Sequence, residues 1–427
     1  MLAEFSEIII VGAGACGLAA GYELTRNGKK VLLLEADDRI GGRIKTIHHS
    51  DFDMPVEAGA EFIHGNLPVT IELLNTFKIP FLPAGGKMIR IETQPSKAKR
   101  TDTNYGLLAL KLRAQKEDCT VMEFLNNFFP EDKGFDELRS MVKGFVSGYD
   151  TADPDRASLF AFRDEWMDND EWEQYRVAGG YGKLTDALAK DIREKGGRIL
   201  TSRKVLKVTY HATGIELTDS EGRIYNTERA IITIPLGLLQ NNSVHFDPPL
   251  PVHFSDLQSA GYGRVIKVVC SFRNPFWENH KEGGDIGFIL SDATIPTWWT
   301  MSPQKSNMLC GWIGWGLSEK YTGKEELVKR DAMSSLASIF KMKEEELKEE
   351  CLSCQVFDWN ADPHAMGSYS YTVPGAEAIF RECSKPINRN LFFCGEAFYS
   401  GKIPGTVEAA LSSGMETAGK ILAESNQ

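Results

Sequence analysis

The feature that most constrains this chain is a glycine-rich turn close to its amino terminus. The apolar run Ile8-Ile9-Ile10-Val11 leads directly into Gly12-Ala-Gly14-Ala-Cys-Gly17, a GxGxxG pattern. Apolar residues then recur at helical spacing up to Gly28, and the run Val31-Leu-Leu-Leu34 follows. A strand, a turn, an amphipathic helix and a second apolar strand predict a βαβ unit inside a parallel sheet.

The glycine turn also indicates a ligand. Glycines let the chain turn tightly and bring backbone N–H groups and a helix N-terminus against a pyrophosphate. Glu35 ends the second strand, and a carboxylate at that position binds both ribose hydroxyls and repels a 2′-phosphate. The motif therefore predicts an adenine dinucleotide, and by itself it leaves NAD and FAD both open.

Size and composition narrow the class of protein further. A chain of 427 residues predicts roughly two or three domains. Its net charge of −11 argues against a broad nucleic-acid or anionic-membrane surface and suits cationic small molecules. We predict no membrane span, since there is no apolar stretch of about 20 residues. The short run Ile8 to Val11 does not fit a signal peptide, so we expect a cytoplasmic protein.

The cysteines do not predict a metal site. Of the eight, Cys351 and Cys354 are the close pair, and they lack a second pair at zinc-ligand spacing. We interpret these two as packed thiols. No histidine stands at ligand spacing from another ligand either, so we predict no metal.

Six segments farther along the chain match one family in its order. They are residues 41–43, 56–65, 261–277, 359–371, 392–397 and 404–410. On these segments the chain resembles the flavin amine oxidases, which include monoamine oxidases, polyamine oxidases and lysine-specific histone demethylases. Residues 231–239 and 246–251 are similar to the polyamine oxidase and demethylase branch. The resemblance runs from residue 8 to about residue 422 and is weak over 79–175.

The resemblance implies a two-domain α/β fold that binds FAD. The FAD-binding domain, which contains the GxGxxG βαβ unit, would be discontinuous over residues 1–78, 180–250 and 385–427. The substrate-binding domain, with a mixed sheet and helices, would comprise residues 79–179 and 251–384.

The resemblance also implies roles for individual residues around the cofactor. The glycines of the turn would cradle the pyrophosphate, Glu35 would hold the ribose, and the backbone of Val205 would meet the adenine. Arg43 would approach the ribityl-flavin end, and Glu396 would contact it. The full predicted cofactor-binding set is Gly12, Gly14, Ala15, Gly17, Glu35, Gly42, Arg43, Gly59, Ala60, Val205, Glu396, Thr406 and Val407.

Lys267 is the predicted catalytic residue. It interrupts the apolar strand Val265-Ile-Lys-Val-Val269, where a lysine costs free energy unless it has a partner. One interpretation is an edge strand with a solvated head group. The resemblance implies instead that Lys267 faces the flavin and holds a water against its N5 atom.

Aromatic residues and one histidine are candidates for the substrate wall. The selected residues are Phe62, His64, Trp299 and Tyr369, and Trp298 and Tyr371 are further candidates. Aromatic side chains more often belong to the core, and a single histidine more often makes a structural hydrogen bond. Tyr369 matches a family position beside the flavin.

The chain departs from the monoamine oxidases at two positions. Ser368 stands where they carry the cysteine that bonds to the flavin, so we expect noncovalent FAD. Thr406 stands where they place the second tyrosine of an aromatic cage. An acidic run could hold the distal ammonium groups of a polyamine, although such a run is more often a solvated face. Its members are Asp164, Glu165, Asp168, Asp170, Glu171 and Glu173.

We therefore predict an oxidase that takes hydride from a small-molecule amine, with imine hydrolysis and O₂ reduction to H₂O₂. The alternatives are a related flavoenzyme that desaturates a C–C bond, or a flavin-binding interaction protein without turnover. An L-amino-acid oxidase is a near neighbour, but its Gly-Pro-Met-Arg clamp is replaced by Gly59-Ala-Glu-Phe62. Histone demethylation is not expected, because the chain has neither a helical tower insertion nor a reader domain.

Overall fold

A computed structural model describes residues 4–93, 103–131, 133–167, 173–279, 284–401 and 404–425. Its strands in chain order are Glu4–Val11 (β1), Val31–Leu34 (β2), Thr46–Ile47 (β3), Val56–Glu57 (β4), Phe62–His64 (β5), Phe81–Pro83 (β6), Lys87–Ile91 (β7), Gln174–Val177 (β8), Arg198–Leu200 (β9), Val205–His211 (β10), Gly214–Asp219 (β11), Ile224–Ile232 (β12), His245–Asp247 (β13), Gly261–Tyr262 (β14), Ile266–Phe272 (β15), Ile286–Ser291 (β16), Thr297–Trp299 (β17), Met308–Ile313 (β18), Cys351–Asp358 (β19), Ser370–Tyr371 (β20) and Leu391–Phe393 (β21).

The α-helices accompany these strands along the whole chain. They are Ala15–Arg26 (α1), Pro68–Thr76 (α2), Thr103–Ala114 (α3), Val121–Phe128 (α4), Asp136–Gly148 (α5), Leu159–Met167 (α6), Gly182–Glu194 (α7), Leu236–Gln240 (α8), Leu317–Tyr321 (α9), Glu325–Phe340 (α10), Glu344–Glu350 (α11), Ala376–Cys383 (α12) and Val407–Ser425 (α13).

The first large sheet contains the predicted βαβ unit. Its strand order is β13-β10-β11-β12-β1-β2-β9, and β21 pairs with β12. Strand β1 is parallel to both β2 and β12, which confirms the interpretation of the amino-terminal segment. All four residues of β2 are buried, because helices α1, α7 and α13 pack on one face and a second apolar cluster covers the other.

The second large sheet carries Lys267. Its order is β19-β15-β18-β17-β16-β7, and it is antiparallel except where β16 meets β7. All seven residues of β15 are buried, since β19 and β18 flank it and helix α10 packs beside it. The interpretation of Lys267 as an edge-strand residue with a solvated head group is therefore wrong.

The small sheet β5-β8-β6 brings the segment after Gly59 towards the second large sheet. The two large sheets have separate apolar clusters, as a two-domain α/β fold requires. The domain boundaries given above stay a prediction.

The described cysteines include two close pairs of sulfur atoms. The sulfur of Cys354 lies 3.0 Å from that of Cys270, and Cys16 lies 3.3 Å from Cys394. Cys351 instead contacts the carbonyl of Ser353. Both Cys351 and Cys354 are nevertheless thiols packed against the apolar cluster of the second sheet, as predicted, because a register shift in the β15–β19 pairing puts them on the same face of β19.

The described residues contain neither a membrane-spanning helix nor a metal-binding cluster. No helix in these ranges is long and apolar enough to cross a membrane. No group of three or more His, Cys, Asp or Glu side chains in the same ranges is arranged to hold a metal ion.

Candidate active site

One cavity of about 1630 Å³ passes from the glycine turn to the second sheet. Pockets for a single drug-sized ligand are roughly 300–1,000 Å³, so this cavity has room for a dinucleotide and a substrate together. Of the residues selected as catalytic, cofactor-binding or substrate-lining, all line the cavity except Gly17. The structure thus brings together residues that are far apart in the chain.

The glycine turn has space for a phosphate. A Cβ atom added at Gly14 would lie 3.9 Å from the nearest protein atom, whereas Gly12 has a positive φ of 108° and Thr233 behind it. Gly14 precedes helix α1, and no side chain among the described residues caps this helix end. Its backbone N–H groups are therefore available for a pyrophosphate, and the residues present fit that group.

Gly17 has a different role from the one predicted. A Cβ atom there would lie 2.0 Å from the carbonyl oxygen of Gly12, behind the turn. Gly17 therefore allows the helix to pack closely on the strand and does not itself touch the cavity.

Glu35 lies at the predicted ribose position. Its carboxylate accepts hydrogen bonds from the backbone N–H groups of Ala13 at 2.6 Å and Asp37 at 2.9 Å. Burial raises the pKa of this carboxyl group, and the two backbone donors oppose the shift. A carboxylate has about four lone-pair positions, so two remain for ribose hydroxyls. Val205 begins β10 at the same wall of the cavity.

At the predicted flavin end of the cofactor region, polar side chains hydrogen-bond to one another. Arg43 Nη1 donates to the Ser368 carbonyl at 2.7 Å and to Glu396 Oε1 at 2.8 Å. The hydroxyl of Ser368 lies 2.6 Å from that of Thr151. Thr406 accepts a hydrogen bond from the backbone N–H of Ala409 and so caps helix α13. The sequence did not predict this capping role.

Lys267 forms part of the cavity wall, and its nearest polar partner is Glu61. Its Nζ atom donates to Glu61 Oε2 at 2.6 Å, and the side chain is 0% exposed. Glu61 Oε1 also accepts from Arg176 Nε at 2.7 Å and from Trp299 Nε1 at 3.0 Å. Burial raises the pKa of the Glu61 carboxyl, but Lys267 and Arg176 outweigh that effect, so the pKa is lowered.

Sequence reasoning did not select Glu61 as a site residue. A signal was available, because Glu61 interrupts a segment of small and apolar residues as Lys267 interrupts its strand. Two opposite charges in two apolar segments indicate a buried pair. The placing of water beside Lys267 stays a prediction.

The aromatic wall is built around Phe62 and Trp299. Their ring centroids are 5.7 Å apart, and Phe288 lies 5.6 Å from Phe62. Tyr369 lines the same cavity and donates to the carbonyl of Tyr149. Trp298 is buried in the core of the second sheet and bonds to a backbone carbonyl, so its assignment to the substrate wall is wrong. Adjacent strand residues face opposite sides, which explains the difference from Trp299.

His64 lies at the wall beside Tyr149, with 3.3 Å between Nδ1 and the phenol oxygen. Burial lowers the pKa of His64 to about 4, so the imidazole is neutral at neutral pH. A neutral imidazole has one donor and one acceptor nitrogen. His64 can therefore exchange a hydrogen bond with a neutral amine.

The part of the cavity lining that residues 88–166 and 288–297 contribute is acidic. Carboxylates outnumber cations in this part of the lining, which contains Glu92, Glu137, Asp150, Glu165, Asp292 and Arg90. Of the predicted acidic run, Glu165 is the described member that lines the cavity. Asp164 pairs with Arg163, and Glu173 accepts a hydrogen bond from Tyr175. Asp168, Asp170 and Glu171 lie outside the described residues.

A dinucleotide cradle that opens into an aromatic chamber defines a two-domain nucleotide-dependent oxidoreductase. The family model described as flavin containing amine oxidoreductase matches residues 15–422, and the chain belongs to this family. Membership confirms the predicted family and the flavin cofactor. With a serine hydroxyl at Ser368 in place of a thiol, the FAD is held noncovalently.

Curated relatives fall into two groups. Lysine-specific histone demethylase 2 of Homo sapiens is 28% identical over 449 residues, which cover 97% of this chain and 53% of that protein. Polyamine oxidase 4 of Oryza sativa subsp. japonica is 25% identical and is covered over 87% of its length. The chain spans about half the length of the demethylase relatives.

Solved structures show the same fold. Putrescine oxidase bound to putrescine has a TM-score of 0.81 at 18% identity, with 99% of this chain and 100% of that chain covered. Cyclohexylamine oxidase from Brevibacterium oxydans IH-35A has a TM-score of 0.80 at 21% identity over the same shares. These matches confirm the predicted two-domain α/β fold.

Proposed function

We propose that this protein is an FAD-dependent oxidase of primary or secondary amines. The observation that carries the proposal is one cavity that joins the dinucleotide cradle at Gly14 to an aromatic chamber and the buried Lys267. When bound, FAD supplies a two-electron acceptor for the hydride on the carbon beside the amine nitrogen, and O₂ restores it with release of H₂O₂.

The chain's own residues hold and orient the substrate. Phe62, Trp299 and Tyr369 line the cavity and present apolar ring surface to the carbon chain of an amine. The neutral imidazole of His64 can accept a hydrogen bond from the amine nitrogen without adding a charge. Binding of the neutral amine is required, because an ammonium has no lone pair to support loss of hydride.

We further propose that the preferred substrates carry a second cationic group, as polyamines do. The acidic part of the cavity lining, which includes Glu92, Glu165 and Asp292, would attract a distal ammonium. A monoamine would use the aromatic chamber alone. The predicted absence of nucleic-acid partners and the cytoplasmic location stay predictions.

Steady-state assays with matched substrates test this proposal. A diamine and the monoamine of equal chain length should both be oxidised. Each should yield one H₂O₂ for every aldehyde formed. We expect the diamine to have a kcat/KM at least about tenfold higher, equivalent to about 1.4 kcal/mol. A peptide carrying methylated lysine serves as a third substrate, because demethylases are among the relatives. Equal kcat/KM for diamine and monoamine would contradict the preference, and no product from any amine would contradict the function.

A further inference from the structure

Glu61 is a buried carboxylate that accepts hydrogen bonds from three side chains. An unpaired charge at this position would cost free energy. Glu61 lies just before β5, is 7% exposed, and receives hydrogen bonds from Lys267, Arg176 and Trp299. Both oxygens are used, Oε2 by Lys267 and Oε1 by the other two. Removal of one partner from such a buried pair leaves the other charge uncompensated.

Among the residues that the structure describes, no second carboxylate hydrogen-bonds to Lys267. Across the sheet it pairs with the uncharged Trp312 and Phe357. Burial raises the pKa of Cys310 to about 12, so its thiol is neutral. Burial likewise raises the pKa of Glu57 to about 7, and this carboxyl bonds elsewhere, to Thr46 and to the Tyr181 backbone.

We propose that Glu61 is a positioning residue that keeps Lys267 as an ammonium, fixed at the cavity wall, while Arg176 and Trp299 hold Glu61 in place. The inference rests on the proposed function, since it concerns the lysine assigned to the flavin side. The indole of Trp299 supports the arrangement twice, because its N–H bonds Glu61 and its ring lies 5.2 Å from Lys267 Nζ.

This arrangement has an electrostatic consequence for the substrate. The cluster of one carboxylate and two cations has a net positive charge, and its members Lys267 and Glu61 line the inner wall, whereas the lining from residues 88–166 and 288–297 is acidic. A cationic amine is repelled from the inner end, so the reacting nitrogen enters as the neutral amine. Without Glu61, Lys267 would be a buried cation beside Arg176 with no carboxylate bonded to it, which is costly in the low-dielectric interior.

The flavin absorption spectrum of the holoprotein tests this inference without any amine turnover. Flavin absorption responds to nearby charge, so spectra of the wild type, Lys267→Met, Glu61→Gln and Glu61→Gln/Lys267→Met are recorded from about pH 6 to about pH 10. We expect a constant spectrum in the wild type, a single-proton transition in Glu61→Gln, and loss of that transition in the double variant. A purely structural role of Glu61 would lower FAD retention without a transition that depends on Lys267.

Two results would overturn the inference. One is a Glu61→Gln spectrum as constant as that of the wild type, and the other is a wild-type transition that Lys267→Met removes. If Glu61→Gln does not retain FAD, Glu61→Asp takes its place, because the shorter carboxylate keeps the charge but cannot reach all three donors. We expect the spectrum of Glu61→Asp to show a transition at a higher pH than that expected for Glu61→Gln. A constant Glu61→Asp spectrum would overturn the inference. Absence of amine oxidation would leave these spectra unchanged, so the two proposals fail separately.

Discussion

Arg43 and Glu396 form an ion pair of 2.8 Å that joins positions 353 residues apart in the chain. Glu396 is 4% exposed and also accepts a hydrogen bond from the Ser370 hydroxyl. The pair brings the segment after the βαβ unit against the closing segment of the chain, at the predicted flavin end of the cavity. Both residues were predicted to bind the cofactor, and the structure shows that they also hold each other.

Noncovalent attachment of FAD predicts that the cofactor leaves the denatured protein. Acid precipitation should release the yellow colour into the supernatant, because the Ser368 hydroxyl cannot form a thioether. The absorbance of pellet and supernatant measures the distribution. Flavin that stays with the washed pellet would contradict noncovalent binding.

Gly14→Ala should weaken FAD binding without unfolding the protein. The added Cβ would be 3.9 Å from the nearest protein atom, so it fits the apoprotein, but it enters the space left for the pyrophosphate. We expect at least a tenfold higher Kd for FAD, about 1.4 kcal/mol, by fluorescence titration.

Gly28→Ala is the matched control for Gly14→Ala, since a Cβ at Gly28 meets no atom within 4 Å and lies outside the cavity lining. Its positive φ of 77° adds some strain, so a small loss of thermal stability is expected. Its Kd for FAD should equal that of the wild type. Equal Kd values for all three proteins would refute the position of the cradle.

Catalytic efficiency should rise with pH through the pKa of the amine substrate, because hydride leaves the neutral amine. The pKa of His64 is lowered to about 4, so this residue stays neutral and adds no step above about pH 5. A profile of kcat/KM against pH measures the effect. A flat profile from about pH 6 to about pH 10 would count against amine oxidation.

Glu57→Gln should change how stability depends on pH. Burial raises the pKa of Glu57 from 4.5 to about 7, so the folded state binds this proton more tightly than the unfolded state. The stabilisation is complete below about pH 4.5 and is lost as the pH rises through about 7. The wild type should therefore lose on the order of 2 kcal/mol over this interval relative to Glu57→Gln, after allowance for solvent screening.

Chemical denaturation at several pH values measures this difference in the free energy of unfolding. The variant is its own control at low pH, where both proteins carry an uncharged side chain at position 57. Parallel stability curves over the whole interval would show that Glu57 titrates normally.

The cofactor end of the site was predictable because its signals are local. The turn from Gly12 to Gly17 and the acidic residue Glu35 lie in one continuous βαβ unit, and their spacing follows from backbone geometry. Gly17 was predicted to face the pyrophosphate, whereas it lies on the face of the turn that packs against Gly12. That face depends on how closely the helix approaches Gly12.

The substrate end was less predictable because its contacts are tertiary. Lys267 could be recognised from its apolar strand, but its pairing with Glu61 requires β5, β8 and β15 to meet. Alternation along β17 separates Trp298 from Trp299, yet the sequence does not say which face is the core. The pairing of Cys354 with Cys270 likewise depends on the register of β19 against β15.

Anaerobic mixing of the holoprotein with amines tests the central claim most directly. The yellow absorption of the oxidised flavin is followed after addition of a diamine, a matched monoamine and a buffer blank. Amine oxidation predicts rapid bleaching with an amine, no bleaching in the blank, and return of the colour when O₂ is admitted. An FAD-loaded protein whose absorption is unchanged by every amine, above and below the pKa of each, would contradict the account.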